Sequence, residues 1–224
     1  MTNVSDVQAT VVAGSLAVFL PGVSAADRED ILLGNLFAQV TAREEYAEGL
    51  VPDWFANYRR KLSFLGWDAA PPPGVALPGP DRVGVKLNAL AQIKQYGSAA
   101  LAAATGNALD ALAREPQALD LFDVSMRHGT QAHLQFMPCV RHSGDYFDMV
   151  LYHMETVVDR TWNARTLLYN PVVAHIDYSK SRLQLVRFNL RLFRDQHKQR
   201  VQARLQGKAT SFLRNLNLTA PGSP

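Results

Sequence analysis

The chain has 224 residues, of which 47% are hydrophobic and 19% are charged. This composition is typical of a globular protein and excludes a disordered, collagen-like or disulfide-stapled chain. The formal net charge is +3, but residues 1–130 hold 10 basic and 14 acidic side chains, whereas residues 131–224 hold 13 and 6. The C-terminal part of the chain can therefore carry a basic face.

An apolar stretch, Thr10–Val23, opens the chain and ends in the signal-like Val23-Ser24-Ala25. It lacks the basic n-region of a secretory signal. It is also shorter than the roughly 20 apolar residues that a membrane-spanning helix needs. We interpret it as a buried helix, and we expect a protein made in the cytoplasm without a signal peptide, with any release following a non-classical route.

Two amphipathic helices are predicted next. Ser24 and Asp27 form a capping-box-like start, in which a side-chain oxygen satisfies free backbone N–H groups. Pro52 suits the first turn of a second helix, from Asp53 to about residue 64. The aromatic side chains of this region have two interpretations, a ligand groove beside the following Pro-rich segment or helix packing; they are Trp54, Tyr58 and Trp67.

The segment 69–80 contains five prolines, which predicts an extended strap rather than a helix or a sheet strand. Beyond it, the Ala- and Leu-rich stretch Val83–Thr105 predicts a central helix. Shorter helices are predicted at Asn107–Arg114 and Gln117–Asp123. Residues 8–125 would thus form a helical half of the protein.

From residue 131 the hydrophobic period changes to two, which indicates strands. A hairpin is predicted around the turn 142–145, and further strands are predicted at Thr166–Asp177 and Arg182–Leu192. Residues 131–192 would then form an antiparallel meander of about four strands.

The hydrophobic pattern of residues 193–218 predicts helices, the last of which is an amphipathic segment. We expect residues 219–224 to form a flexible tail. Helices followed by strands and helices again indicate one α+β domain spanning residues 1–218. In this arrangement the N-terminal helices pack on one face of the sheet and a C-terminal amphipathic helix closes the domain.

The chemistry-bearing candidate is Cys139, the single cysteine, which excludes an intrachain disulfide. A histidine that activates a thiolate is the pattern of cysteine nucleophiles, and His133, His142 and His153 lie near Cys139 in the predicted hairpin. Free cysteines are also common as inert core residues. Core packing, acylation or ligand contact, and nucleophilic catalysis therefore all stay open. Phosphate-loop, dinucleotide, His-Glu-x-x-His and Gly-x-Ser-x-Gly motifs are absent from the sequence, so no metal or nucleotide cofactor is predicted.

The stretch 182–214 holds nine Lys and Arg residues and a single acidic residue, Asp195. A basic helix face of this kind binds anionic lipid headgroups or phosphates, and a solvated face with intramolecular ion pairs is the alternative. Nucleic acid is not expected, because the interleaved aromatic residues fall at core positions. The residues predicted to form a membrane or anion surface are Arg194, Lys198, Arg200 and Arg204.

Four parts of the chain resemble a known family, with the following stretches carrying the likeness: Glu29–Gln39, Trp54–Tyr58 leading to Leu65–Trp67, Gln135–Cys139, and Phe188–Leu190 leading to Arg200-Val201 and Leu205. They resemble a widespread bacterial family of proteins of this size that is related to the Evf-type virulence factors. The resemblance implies a mixed α/β protein that holds a fatty acyl chain on a cysteine in a buried pocket and acts in host interaction. Cys139 is the only cysteine that could carry the chain.

The sequence thus predicts a non-enzymatic, toxin-like bacterial virulence protein that binds or carries a fatty acyl ligand and acts at a membrane or on a partner. A thioester would link the lipid, because Met1-Thr2 offers no glycine for myristoylation. The alternatives are a self-associating structural protein that forms a homo-oligomer, and a cysteine-dependent acyl transferase or hydrolase. The residues predicted to bind the acyl chain are Cys139, Phe136, Met137, Met149 and Leu151.

Overall fold

The computed structural model describes residues 7–69, 84–158, 161–170, 176 and 178–219. The helices are α1 (Ala25–Ala47), α2 (Trp54–Phe64), α3 (Val85–Tyr96), α4 (Ala99–Arg114), α5 (Pro116–Met126), α6 (Ala164–Tyr169), α7 (Leu190–Gln196) and α8 (Lys198–Leu205). The strands are β1 (Gln8–Val12), β2 (Ser15–Phe19), β3 (Trp67–Ala69), β4 (Arg127–His128), β5 (Gln131–Ser143), β6 (Tyr146–Val157), β7 (Arg182–Asn189) and β8 (Leu213–Leu216).

The strands form one mixed sheet in the order β3-β7-β6-β5-β2-β1-β8, and β4 pairs with the start of β5. The predicted hairpin is confirmed as β5 and β6, the two longest described strands, with 13 and 12 residues. β7 adds to it antiparallel, whereas β2 pairs with the other side of β5 in parallel. The α+β class is therefore confirmed, but the sheet is larger than the predicted four-stranded meander.

Helices cover both faces of this sheet, whereas the sequence predicted that helices pack on a single face. One hydrophobic cluster joins the sheet to α3, α4, α5 and α6, and a second cluster joins the opposite face to α1, α2, α7 and α8. The physical reason is that both alternating sets of strand side chains are buried; β2, for example, is buried at every position. Strands of this kind need a helical layer on each side.

The N-terminal stretch Thr10–Val23 is not a helix. It forms the antiparallel hairpin β1–β2, in which Val12 pairs with Ser15 across the two-residue turn Ala13-Gly14. The stretch is rich in valine, whose branched side chain favours strands over helices. The predicted helical half 8–125 therefore begins with two strands of the sheet.

The two helices predicted after this hairpin are confirmed, and so is the predicted cap at Ser24; the second helix begins one residue later than predicted, with Asp53 as its N-cap and Pro52 before the cap. The Ser24 side chain accepts a hydrogen bond from the backbone N–H of Asp27, and Asp53 accepts one from that of Ala56. The single helix predicted at 83–105 is wrong, because it is two helices, α3 and α4, that meet at Gly97. The Ser98 side chain caps the second of them.

The C-terminal part differs from its prediction at two places. The strand predicted at Thr166–Asp177 is wrong where it is described, since residues 164–169 form α6. The final segment 209–218 is not an amphipathic helix; after one short 3-10 turn it forms β8, which pairs with β1 at the sheet edge. The predicted strap, apart from Ala69 in β3, and the predicted tail beyond Thr219 lie outside the described residues.

None of the described helices combines the length and the apolar content required to cross a membrane.

Gly14 in the β1–β2 turn offers a test of this fold. A Cβ atom there would lie 3.1 Å from the Met126 Cα and 3.2 Å from the carbonyl oxygen of Ser125, both backbone atoms that cannot rotate away. We expect Gly14→Ala to lower the free energy of unfolding by about 1–2 kcal/mol through overpacking, as measured by urea denaturation.

The matched control is Gly106→Ala within α4, where the new Cβ would be at an ordinary 3.6 Å from Leu90. Replacing a helix-interior glycine should stabilise the protein by about 0.5–1 kcal/mol. Equal effects of the two substitutions would contradict the close approach of the hairpin turn to α5.

Candidate functional site

Cys139 lies in the middle of the core. It is 0% exposed on β5 and pairs across the sheet with Met149. Met137, Met149 and Leu151 belong to the same hydrophobic cluster as Cys139, so the structure brings four of the five predicted acyl-binding residues to one face. Phe136 points to the opposite face, where its ring is 5.7 Å from that of Tyr152.

The surroundings of Cys139 do not activate its thiol. Burial and the charge of Asp148 raise the pKa of the Cys139 thiol. His133 is six residues away along the same extended strand, a distance of about 20 Å at 3.3 Å per residue. His153, on the neighbouring strand, lies opposite Gln135 and not opposite Cys139. Among the described cavities, none is lined by Cys139.

We expect Cys139 in the folded protein to react with a thiol reagent such as Ellman's reagent at least about 100-fold more slowly than an exposed thiol, because the thiolate is the reactive form and local opening must precede attack. Ser63→Cys, which introduces a thiol at an exposed position, is the matched control. Denaturant should remove the difference. Fast labelling of the native wild-type protein would show that Cys139 is accessible.

Three of the four residues predicted to form an anion surface are used in ion pairs within the chain. Arg194 contacts Asp27 at 2.9 Å and the fully buried Asp30 at 2.6 Å, and Lys198 contacts Asp30 at 2.7 Å. Arg204 pairs with Glu44 at 2.7 Å, and Arg200 is exposed. Much of the predicted basic face therefore fastens α7 and α8 to α1.

Asp27 is the centre of this network. Burial acts to raise the pKa of Asp27, but hydrogen bonds with Ser24 and Arg194 and the charge of Arg141 outweigh it and hold the pKa below its ordinary value. The carboxylate thus stays ionised, and it joins three elements of the chain: the start of α1, β5 and α7.

We expect Arg194→Met to lower the free energy of unfolding by about 1–3 kcal/mol, because it removes a partner from two buried carboxylates. The control Arg204→Met breaks a pair whose side chains are 58% and 40% exposed, and it should cost less than about 1 kcal/mol. Urea denaturation measures both values. Equal losses would mean that the Arg194 pairs behave as surface pairs.

A cluster of aromatic and imidazole rings lies where the other end of the β5–β6 hairpin meets α2. His133 and His153 face each other with ring centroids 5.8 Å apart. Trp54 lies 5.3 Å from the first ring and 5.4 Å from the second, and Phe55 stacks on His153 at 4.3 Å. The cap at Asp53 fixes the start of α2 and thereby places both aromatic rings over the two imidazoles.

Both histidines are buried, at 7% and 1% exposure, and none of their four ring nitrogens has a hydrogen-bond partner among the described residues. Burial lowers the pKa of His133 to about 4, even though Glu155 acts in the opposite direction. Burial and the neighbouring His133 also lower the pKa of His153 well below its ordinary value. Both rings are therefore uncharged near neutral pH.

Two cavities flank this ring cluster. The larger, which we call the apolar cleft, has a volume of about 370 Å³ and lies between α1, the β1–β2 turn and the end of α5, with His133 in its wall. The smaller, the polar pocket, has a volume of about 260 Å³ and includes His153, Glu155 and Lys180. The apolar lining of the cleft consists of Ala13, Val40, Ala47, Trp54, Met126 and Phe212.

Some of the charged side chains that line the apolar cleft have an ion-pair partner, and one of them does not. Glu44 pairs with Arg204, and Arg127 pairs with Asp123 at 3.2 Å. The Arg43 guanidinium donates to two backbone carbonyls, those of Ser125 and Arg127, at 3.1 and 2.9 Å. Within the described ranges Arg43 has no ion pair with a carboxylate.

The sequence interpretation identified Trp54 as a groove candidate and His133 and His153 only as neighbours of Cys139; it missed Arg43 and Glu155. The available signal was the hairpin itself, because antiparallel pairing places residues that are far apart in sequence side by side. In the observed register His133 lies opposite Glu155, two residues beyond His153 on the same face.

No family model, curated protein or solved structure that was compared with the chain matches it. The resemblance to Evf-type virulence factors therefore stays a prediction.

Proposed function

We propose that the protein binds an amphipathic carboxylate, such as a medium-chain fatty acid, in the apolar cleft without forming a covalent bond to it. The observation that carries the proposal is an apolar cavity with an arginine at its mouth that has no carboxylate partner among the described residues. The cleft volume falls within the range of small-molecule sites, which are mostly apolar with a few polar groups that fix orientation.

The lining supports an alkyl chain as the occupant. Apolar side chains from α1, α2, α5 and the 3-10 turn at 209–212 converge on the cleft. Each buried methylene contributes roughly 0.8 kcal/mol to the binding free energy, so burial of several methylenes of an alkyl chain in the cleft favours binding. The proposal retains the predicted fatty acyl ligand but moves it from Cys139 to a cavity on the same side of the sheet.

Arg43 supports an acidic head group. Its guanidinium already makes two hydrogen bonds to backbone carbonyls, and these hold it in place at the cleft. Arginine has five N–H donors, so further donors are free to bind a carboxylate. Hydrogen bonds between charged groups are roughly twice as strong as neutral ones.

Calorimetric titration with dodecanoate below its micelle concentration tests the proposal. We expect one binding site, and we expect Arg43→Gln to weaken dodecanoate binding about 10-fold, in line with the loss of a charge-assisted hydrogen bond, while leaving dodecanol binding unchanged. The matched control is Arg191→Gln, because Arg191 is 79% exposed and does not line the cleft. An equal loss for the acid and the alcohol would contradict the role of Arg43.

Filling the cleft provides a second readout. Val40→Trp places a large side chain in the cleft and should abolish dodecanoate binding, whereas Val124→Trp, at a position that is 69% exposed on α5, should leave it unchanged. Dodecanoate binding that survives Val40→Trp would place the ligand elsewhere.

Acylation of Cys139 is a separate prediction with its own test. Intact mass of the protein from its native host, with and without hydroxylamine, detects a thioester-linked lipid. The buried thiol with a raised pKa favours an unmodified cysteine, and lipid extraction of the same sample reports a non-covalent ligand. A role at a membrane surface, self-association and a role in virulence likewise stay predictions.

A further inference from the structure

We propose that His133, His153 and Glu155 form a binding site for a divalent first-row transition metal ion, such as Zn²⁺. The evidence for this site does not rest on the fatty acid proposed for the apolar cleft, although His133 lies in the wall of that cleft.

The three side chains lie on one face of the β5–β6 hairpin. His133 pairs with Glu155 across the two strands, and His153 is two residues before Glu155, so strand alternation points all three in the same direction. One donor atom from each residue lies within 4.8 Å of the other two. Two donors bonded to the same tetrahedral zinc ion at about 2.0–2.2 Å lie about 3.3–3.6 Å apart. Side-chain rotations of roughly 1 Å at the donor atoms therefore bring the set to bonding distance.

The imidazoles lack any other partner. Within the described part of the chain, all four ring nitrogens are buried without a hydrogen bond, although buried polar groups in folded proteins are almost always satisfied. Leaving such groups unpaired costs free energy. A metal ion bound to one nitrogen of each ring offsets part of this cost, and it needs the uncharged imidazoles that this site contains.

The chemistry of the donors indicates which ion would bind. Two imidazoles and one carboxylate suit zinc and neighbouring transition metals, whereas Mg²⁺ and Ca²⁺ prefer sites made of oxygen atoms. Three protein ligands also leave a coordination position open, as in catalytic rather than structural zinc sites. His153 and Glu155 line the polar pocket, which provides an entry path.

Other charged groups surround the site. Lys180 contacts one oxygen of Glu155 at 2.7 Å, and Asp53 and Arg182 line the same pocket. The Lys180 side chain is 51% exposed, so it can turn toward solvent when a cation takes its place. We therefore expect Lys180→Met to strengthen metal binding by removing a competing positive charge.

Titration of the tag-free protein with Co²⁺ tests the site, because cobalt bound to nitrogen and oxygen donors absorbs visible light. We expect visible bands that saturate at one equivalent, displacement of Co²⁺ by Zn²⁺, and a higher melting temperature with Zn²⁺. Absence of the bands at one equivalent, together with an unchanged melting temperature, would overturn the proposal. Neither readout involves a fatty acid, so failure here leaves the cleft proposal standing.

Variants identify the ligands. His153→Leu and Glu155→Gln should each weaken Zn²⁺ binding by more than about 100-fold. Loss of a residue that only hydrogen-bonds to a metal ligand weakens binding by about 10- to 100-fold, so a larger loss identifies a direct ligand. The control His142→Gln alters a histidine that is 42% exposed and lies outside the cluster, and it should bind as the wild type does.

Folding and metal binding are separated in the metal-free state. His153→Leu removes two unpartnered nitrogens, so its melting temperature without metal should equal or exceed that of the wild type. Glu155 is only partly buried, with a side chain that is 20% exposed, so Glu155→Gln should fold. Unchanged Zn²⁺ affinity in folded Glu155→Gln would overturn the assigned ligand set.

Discussion

Burial of the β5–β6 hairpin on both faces is the constraint on which the other elements depend. Its two strands supply the centre of the sheet, and each face contributes side chains to a different hydrophobic cluster. One face needs α3 to α6 and the other needs α1, α2, α7 and α8 to exclude water. Polar side chains on this hairpin are therefore buried wherever the helices cover them, even if they have no hydrogen-bond partner there.

This enclosure distinguishes the two ends of the hairpin. At the Cys139 end the enclosed side chains are apolar, and packing alone explains them. At the other end the enclosed pair is His133 and His153, covered by Trp54 and Phe55 and bordered by two cavities. Polar groups whose burial is costly, placed beside open volume, are the reason that both proposed ligands are assigned to this end.

The sequence patterns predicted elements well where local signals were complete. The capped helices α1 and α2 and the β5–β6 hairpin have start, stop and periodicity signals within the segment itself. The β1–β2 hairpin was mistaken for a helix because its strands are buried on both faces, so the apolar run shows no alternation. The single helix predicted at 83–105 overlooked a local signal, because Gly97 ends α3 and Ser98 caps α4 within an otherwise Ala- and Leu-rich stretch.

The candidate site could be predicted only in part. Cys139 was predicted to be the reactive or lipid-carrying residue because it is the single cysteine. Its environment, however, depends on the helices that cover β5. The pairing of His133 with Glu155 depends on the register, which shifts between Arg141 and Ser143 near the turn. A shift of one residue sends a side chain to the other face, so the site follows from tertiary structure rather than from spacing.

The parallel pairing of β2 with β5 also has a consequence for how the chain folds. The Ser15 side chain bonds to Gln135 across 120 residues, and Thr10 on β1 bonds to Asn215 across 205. A protein whose central strands meet at such separations has a high contact order and folds slowly. During synthesis the β1–β2 hairpin emerges before both of its partners, β5 and β8, so each of its edges stays unpaired in the nascent chain until that partner appears and is open to aggregation or to a chaperone.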